Sequence, residues 1–324
     1  MSFVRPEDQV IALLVSDLHL SHQKPSIRAE PDWYSVQKAY LKQLEDLRPA
    51  WDVPIICGGD VFDKAVANSE LINFCIDNMP EMYAVPGQHD LKYHSWEEWE
   101  KTAFCTMAKV GKLKMLSEHH PTQLAWQNFP NPMQLMVYGY GWGKEVHPPI
   151  PCLAAHPRDD GFPTINLAVC HRYVWIPGKS YPDAPKQGRL GKVQKEFKGY
   201  DAVLFGDNHC GWIQGGSASG ECGDGSTFFN PGSFMRRKSD EIYHKPCVGF
   251  LKADGSIERR FLDCSGDRFV DRPEEAESKE LNLDGFVEGL KEIGSRLDFE
   301  SACKRAADGL SEGARKILLE ALEK

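Results

Sequence analysis

Short apolar runs recur along the chain, at residues 11–15, 53–57, 82–85, 134–137, 165–170, 202–205, 227–229 and 248–251. Each is rich in Val, Ile, Leu or Phe and breaks off at small or polar residues, the pattern of strands buried between layers. Helical spacing separates the early runs. Val36, Tyr40, Leu44 and Leu47 recur every three to four residues, and Ser69 is placed as the cap of a helix carrying Leu71, Ile72, Phe74, Cys75 and Ile76. Strand–helix–strand alternation predicts a sheet with parallel connections in the first half. In the second half, runs follow one another across Gly-rich turns (215–217 and 223–225), which predicts antiparallel hairpins. Two Pro/Gly-rich stretches, 141–163 and 177–191, are long enough for binding loops or tolerated insertions. Residues 272–280 read as a charged linker. Beyond it, Phe286, Val287, Leu290, Ile293 and Leu297 mark one amphipathic helix, and Ile317, Leu318, Leu319 and Leu322 mark another, with Ser311 as its cap.

Composition narrows the class. The chain has 324 residues, 41% of them apolar and 26% charged, ample for a folded core. Mean hydropathy is −0.44, no apolar run approaches the roughly 18–20 residues of a membrane span, and the N-terminus lacks the apolar core of a signal peptide. The ten cysteines contain no CxxC pair, and Cys57, Cys170 and Cys247 sit in strand-like runs. They are expected as buried free thiols in a reducing, cytoplasmic setting. Net charge is −9, so the molecule is no polycation built to coat nucleic acid. Asp271 to Lys324 carries 14 acids and 9 bases, or −5, leaving −4 for the rest. Basic clusters at Arg236-Arg237-Lys238 and Lys192/Lys195/Lys198 would by themselves be solvated faces.

The informative feature is where acids and histidines fall. Asp17 and His19 follow the first run (VSDLHL), and Asp60 and Asp63 the second (GGDVFD). Gln88, His89 and Asp90 follow the third (VPGQHD), His171 ends INLAVCH, and Asp207 and His209 follow AVLFG in GDNH. Ligands of open α/β sheets bind outside the carboxyl ends of the strands, so five strand ends deliver these groups to one rim. Each motif alone is weak; the ordered set is specific. Oxygen and imidazole donors without thiolate suit Mn²⁺, Mg²⁺, Fe²⁺ or Zn²⁺. Two such ions need a bridging carboxylate, lower the pKa of a bound water and clamp an in-line phosphoryl displacement. An unligated imidazole can then protonate the leaving alkoxide.

These ordered motifs, from about residue 11 to 250, resemble the calcineurin-like metallophosphoesterase superfamily. The resemblance implies a two-sheet α/β/β/α sandwich over residues 1–271 and a small helical, partner-binding element over 272–324. It further implies a first metal held by Asp17, His19, Asp60 and His209, and a second held by Asp60 as bridge with Gln88, His171 and Asp207. His89 would be the general acid and Asp63 its orienting carboxylate. Two positions depart from the pattern. The amide ligand is ordinarily Asn, not Gln88, and Asp207 stands where the family has a histidine, which makes the second position harder and favours Mn²⁺ or Mg²⁺.

Within the superfamily, SDLHLSH, GGDVFD, AVPGQHD and NPGSFMRRK resemble the nuclease subunit of SbcCD-type DNA double-strand-break repair complexes, phage recombination nucleases included. That likeness implies a Mn²⁺-dependent DNA exonuclease, with endonuclease activity on hairpins, in repair and recombination. It also implies an SMC-type coiled-coil ATPase partner, common dimerisation, and backbone-phosphate contacts from Arg236, Arg237 and Lys238. Two other readings stay open: a phosphodiesterase or phosphatase acting on nucleotides, and a metal-poor scaffolding subunit.

Overall fold

A computed structural model describes residues 8–49, 53–126, 133–149, 163–215 and 225–270. The helical element expected over 272–324 lies outside the described residues, as do most of the two glycine turns and part of the 141–163 stretch. The first sheet holds β1 (Val10–Val15), β2 (Ile55–Cys57), β3 (Met82–Ala84), β4 (Leu113–Met115), β11 (Cys247–Lys252) and β12 (Ile257–Phe261), in the order β12-β11-β1-β2-β3-β4. The second holds β5 (Thr122–Trp126), β6 (Met133–Tyr140), β7 (Thr164–His171), β8 (Ala202–Gly206), β9 (Trp212–Gly215) and β10 (Thr227–Asn230), in the order β5-β6-β7-β8-β10-β9.

The period-two alternation of β1 decides how the layers meet. Ala12 and Leu14 face the second sheet and pack with Leu135, Val137, Leu167, Val169, Leu204 and Phe229. Leu13 and Val15 face the other way, onto α1 (Trp33–Leu47), α2 (Ser69–Asn78) and α3 (Ala103–Lys109), through Tyr40, Leu41, Leu44 and Phe104. Beyond the second sheet, Tyr138, Tyr140, Val203, Phe205 and Phe228 meet Phe197, Tyr200 and the short α4 (Leu190–Val193). The result is the expected α/β/β/α sandwich. With β1 buried on both faces, each leucine there contributes roughly 1.5–3 kcal/mol, and the strand end carrying Asp17 and His19 has little freedom.

Two expectations are corrected. The centre of the second sheet is parallel: β6, β7, β8 and β10 pair in one direction. The hairpin-like pairs are confined to sheet margins, β5–β6, β9–β10 and β11–β12. The cap of α2 is Asn68, whose side chain accepts from the Leu71 N–H, and Ser69 is the first helical residue. The seven cysteines among the described residues are free, and Cys57, Cys75, Cys105, Cys170 and Cys247 are buried. No helix among the described residues is long and apolar enough to cross a membrane.

Candidate metal centre

The ends of β1, β2, β7 and β8, with the loop after β3, converge on one rim. Asp17, His19, Asp60 and Asp207 all adopt left-handed backbone, with φ of 53°, 47°, 50° and 76°. Asp and His tolerate that region better than most residues, and there the chain turns sharply enough to aim each side chain inward. Gly87 is fixed by crowding, since a Cβ would lie 2.1 Å from Asp60 Oδ1.

Three overlapping groups of potential ligands form, each with its donor atoms within 4.8 Å of one another: Asp17–His19–His209, His19–Asp60–His89 and Asp17–Asp60–His171. The side chains of Asp17, Asp60 and His171 are fully buried. His19 Nε2 and His209 Nε2 lie 3.2 Å apart and both face Asp17 Oδ1, at 3.9 and 3.7 Å. Burial, helped by the nearby Arg237, His209, His89 and Lys238, pushes the His19 pKa well below the usual imidazole value, so its ring is neutral. Asp60 Oδ2 and His19 Nδ1 are buried without a hydrogen-bond partner. Orphaned acceptors are costly unless something binds them. Opposed ring nitrogens, an orphaned carboxylate oxygen and buried acids together fit divalent cations, with Asp60 shared between the groups.

Protonation follows the same logic. Burial lifts the Asp17 carboxyl to about 6, against the pull of His209 and His171. For Asp60 burial works the same way, but His171 and His89, including the His89 backbone N–H donated to Oδ1 (2.9 Å), hold it below the ordinary value. His171 donates Nδ1–H to the Gly58 carbonyl (2.6 Å) and Nε2–H to Gln88 Oε1 (2.8 Å). Burial opposes its charge, yet Asp60, Asp17 and Asp207 raise it to about 10. Gln88 passes the chain on, Nε2 donating to Asp207 Oδ1 (2.8 Å), while the Asp207 N–H donates to Asp17. Gln88 and Asp207 thus sit beside the cluster, linked to it through His171 and Asp17.

Asp63 departs from expectation. Its main-chain carbonyl, not its carboxylate, accepts from His89 Nδ1 (2.8 Å). The carboxylate pairs with Arg237 Nη2 (2.5 Å). His89 therefore presents Nε2 to the site, 4.9 Å ring to ring from His19. Arg236, expected to meet phosphate, is turned inward onto Asp267, the Ile242 and Cys264 carbonyls and the Phe269 ring. Of the three basic residues only Lys238 is exposed.

Two carboxylates were given no role from the sequence. Glu241 accepts from His209 Nδ1 (2.7 Å), Ser233 and the Arg237 and Lys238 N–H groups. Burial would raise it, but these partners lower it to about 2. It holds the His209 Nδ1–H and turns Nε2 to the site, as carboxylate–histidine–metal triads do, and with Asp17 it raises the His209 pKa against burial. Asp90 accepts from the Val61, Phe62 and Gly87 N–H groups and clamps the Asp60 turn to the Gln88 loop. Burial, with Asp60 nearby, raises it to about 7. A signal for Asp90 was present in VPGQHD; for Glu241, in a polar turn after a basic run, there was none.

Comparison with known proteins now bears on this geometry. The calcineurin-like phosphoesterase family matches residues 12–211, the span that supplies every proposed ligand. The chain belongs to that family. A search of curated proteins returned no significant match. Among solved structures, a "putative 5′-nucleotidase" from Staphylococcus aureus in complex with α-ketoglutarate resembles this phosphoesterase at 12% identity and a TM-score of 0.40. The match covers 87% of this chain and 57% of that one. A likeness so distant says nothing of substrate. The phosphoesterase is metal-dependent by family and by donor set.

Proposed function

We propose that this phosphoesterase hydrolyses phosphodiesters of nucleotide substrates, DNA ends foremost, working as the nuclease subunit of an SMC-type ATPase. The observation that carries phosphodiester chemistry is the pairing of a shared carboxylate, Asp60, with an imidazole, His89, whose Nδ1–H is spent on the Asp63 carbonyl. When bound, two divalent ions supply hydroxide near neutral pH and neutralise the phosphoryl oxygens. Mn²⁺ or Mg²⁺ suits the Gln88 and Asp207 positions better than Zn²⁺. His89, with a second proton on the Nε2 that faces the site, is the proton donor to the leaving oxygen. Support for DNA comes from the SbcCD-like motifs and from Lys238, exposed and close enough to depress the His19 pKa.

A second reading, hydrolysis of nucleotide-sized esters, is favoured by Arg236. With that cation committed inside and Arg237 paired to Asp63, few charges in this run remain for a duplex, whose affinity scales with phosphates neutralised. A partner ATPase supplying basic surface reconciles the first reading with this. The test incubates the chain with Mn²⁺ and end-labelled single- and double-stranded DNA, beside bis-p-nitrophenyl phosphate, with His89→Ala as control. DNA degradation lost in the variant supports the first reading. Turnover of the small diester with DNA intact, even after adding the partner ATPase, replaces it with the second.

A further inference from the structure

Against the second sheet's end of the metal centre lies a cavity of about 550 Å³, lined by Trp142, Lys144, Glu145, Arg172, Glu196 and His171. It falls within the size range of small-molecule sites. His171 lines both, so the cavity lies one buried imidazole away from the metal centre.

Trp142 is built into this wall, yet it takes no part in any of the three apolar cores of the described residues. Its N–H donates to the Pro86 carbonyl (2.9 Å), and its own carbonyl accepts from Trp96 Nε1 (3.0 Å). The neighbouring Gly141 has to be glycine, since a Cβ there would lie 2.9 Å from the Trp96 ring and 3.0 Å from the Pro86 carbonyl. Pro86 leads directly into Gly87, Gln88 and His89. The indole, 6.4 Å ring to ring from His171, is therefore held in register with the catalytic loop. A half-buried indole fixed through its backbone and left out of the core is an open platform.

Charge narrows the occupant. Lys144 pairs with Glu118 (3.0 Å) and Arg172 with Glu196 (2.5 Å), while Glu145 adds a further acid. With the His171 proton lost to a bound metal, the remaining cations of the lining, Lys144 and Arg172, are each matched by an acid, so the cavity offers no net attraction to a phosphate. It offers an aromatic face with donors and acceptors around its edge, the requirement of an uncharged heteroaromatic ring.

We propose that this cavity holds the nucleobase next to the scissile phosphate, stacked on the Trp142 indole, with the charged pairs meeting its polar edge. The proposal rests on the nucleotide reading of the metal centre and names how that centre selects nucleotides over other phosphodiesters.

Two substrates with one leaving group isolate the base: thymidine 5′-(p-nitrophenyl phosphate) and methyl p-nitrophenyl phosphate, each with Mn²⁺ and the full chain. The expected wild-type preference in kcat/KM for the thymidine ester falls about tenfold in Trp142→Ala, the scale of one stacked base. Trp142→Phe retains most of it. A preference unchanged in Trp142→Ala overturns the base site and leaves the nucleotide reading standing. If the wild type turns over neither ester, the nucleotide reading fails, and calorimetric titration with thymidine 5′-monophosphate judges the cavity alone. Binding weakened in Trp142→Ala supports it; binding that is absent in the wild type, or unchanged in the variant, overturns it.

Discussion

Around Asp17, His19 and His209, ring nitrogens and carboxylate oxygens face one another, the two imidazoles meeting at 3.2 Å. Around Gln88, His171 and Asp207, groups of the same kinds are joined in an unbroken hydrogen-bonded chain. In the first half His19 is neutral, so its acceptor is ready, while Glu241 holds the His209 Nδ1 proton and, with Asp17, raises the His209 pKa against burial. In the second, His171 carries both ring protons and must lose the one it donates to Gln88 Oε1 before its Nε2 can meet a metal. Preorganisation therefore differs across a site only a few ångströms wide. The first position should fill first and hold tighter, while the second should fill with loss of a proton.

The strongest way to break the comparison is to remove what the halves share. Asp60→Ala is expected to empty both positions and to lower turnover by roughly a thousandfold or more. Metal content per chain decides it, and a variant still holding two ions would refute the bridge. Next comes His89→Ala, with a loss in kcat of about 10²- to 10⁴-fold and both ions retained. Loss of one ion would make His89 a ligand instead, as its grouping with His19 and Asp60 permits.

Glu241→Gln sharpens the contrast. It should weaken Mn²⁺ at the first position by about 10- to 100-fold, and calorimetry should find the second unchanged. The smallest effect is in pH. His171 is raised from 6.5 to about 10 in the metal-free fold, so its contribution to stability is fully present below pH 6.5 and fades as pH rises through about 10. Thermal unfolding in chelator should show that decline. With Mn²⁺ bound at both positions the His171 proton is already gone, so the decline should flatten; a parallel slope would place His171 outside the metal set.

What the sequence disclosed, and what it hid, follows from how each group is used. Asp17, His19, Asp60, Gln88, His89, His171, Asp207 and His209 were legible because each follows an apolar run, and strand ends of such sheets share a rim. Glu241 was not, since a carboxylate in a polar turn resembles any solvated acid until the fold brings it to His209. Arg236 misled for the same reason, its cluster giving no sign that the guanidinium turns inward to Asp267. The margin strands β5 and β12 carry polar or charged side chains on their exposed faces, as edges do to avoid pairing, and so lack an apolar run. The parallel centre of the second sheet was obscured because its crossovers run through the long Pro/Gly-rich stretches. Asn68 and Ser69 are both good caps, and composition alone does not choose between them.

The left-handed turns at Asp17, His19, Asp60 and Asp207 also set a trade between durability and work. Each holds a side-chain-bearing residue where backbone energy is higher, roughly 1 kcal/mol apiece. Glycine at any of them would relieve that strain and, at Asp17, His19 or Asp60 without metal, remove a buried acid or imidazole as well. The catalytically dead protein should therefore outlast the active one on heating in chelator. A screen for thermal tolerance alone would steadily erase the centre, and improving this enzyme calls for selection on turnover alongside survival.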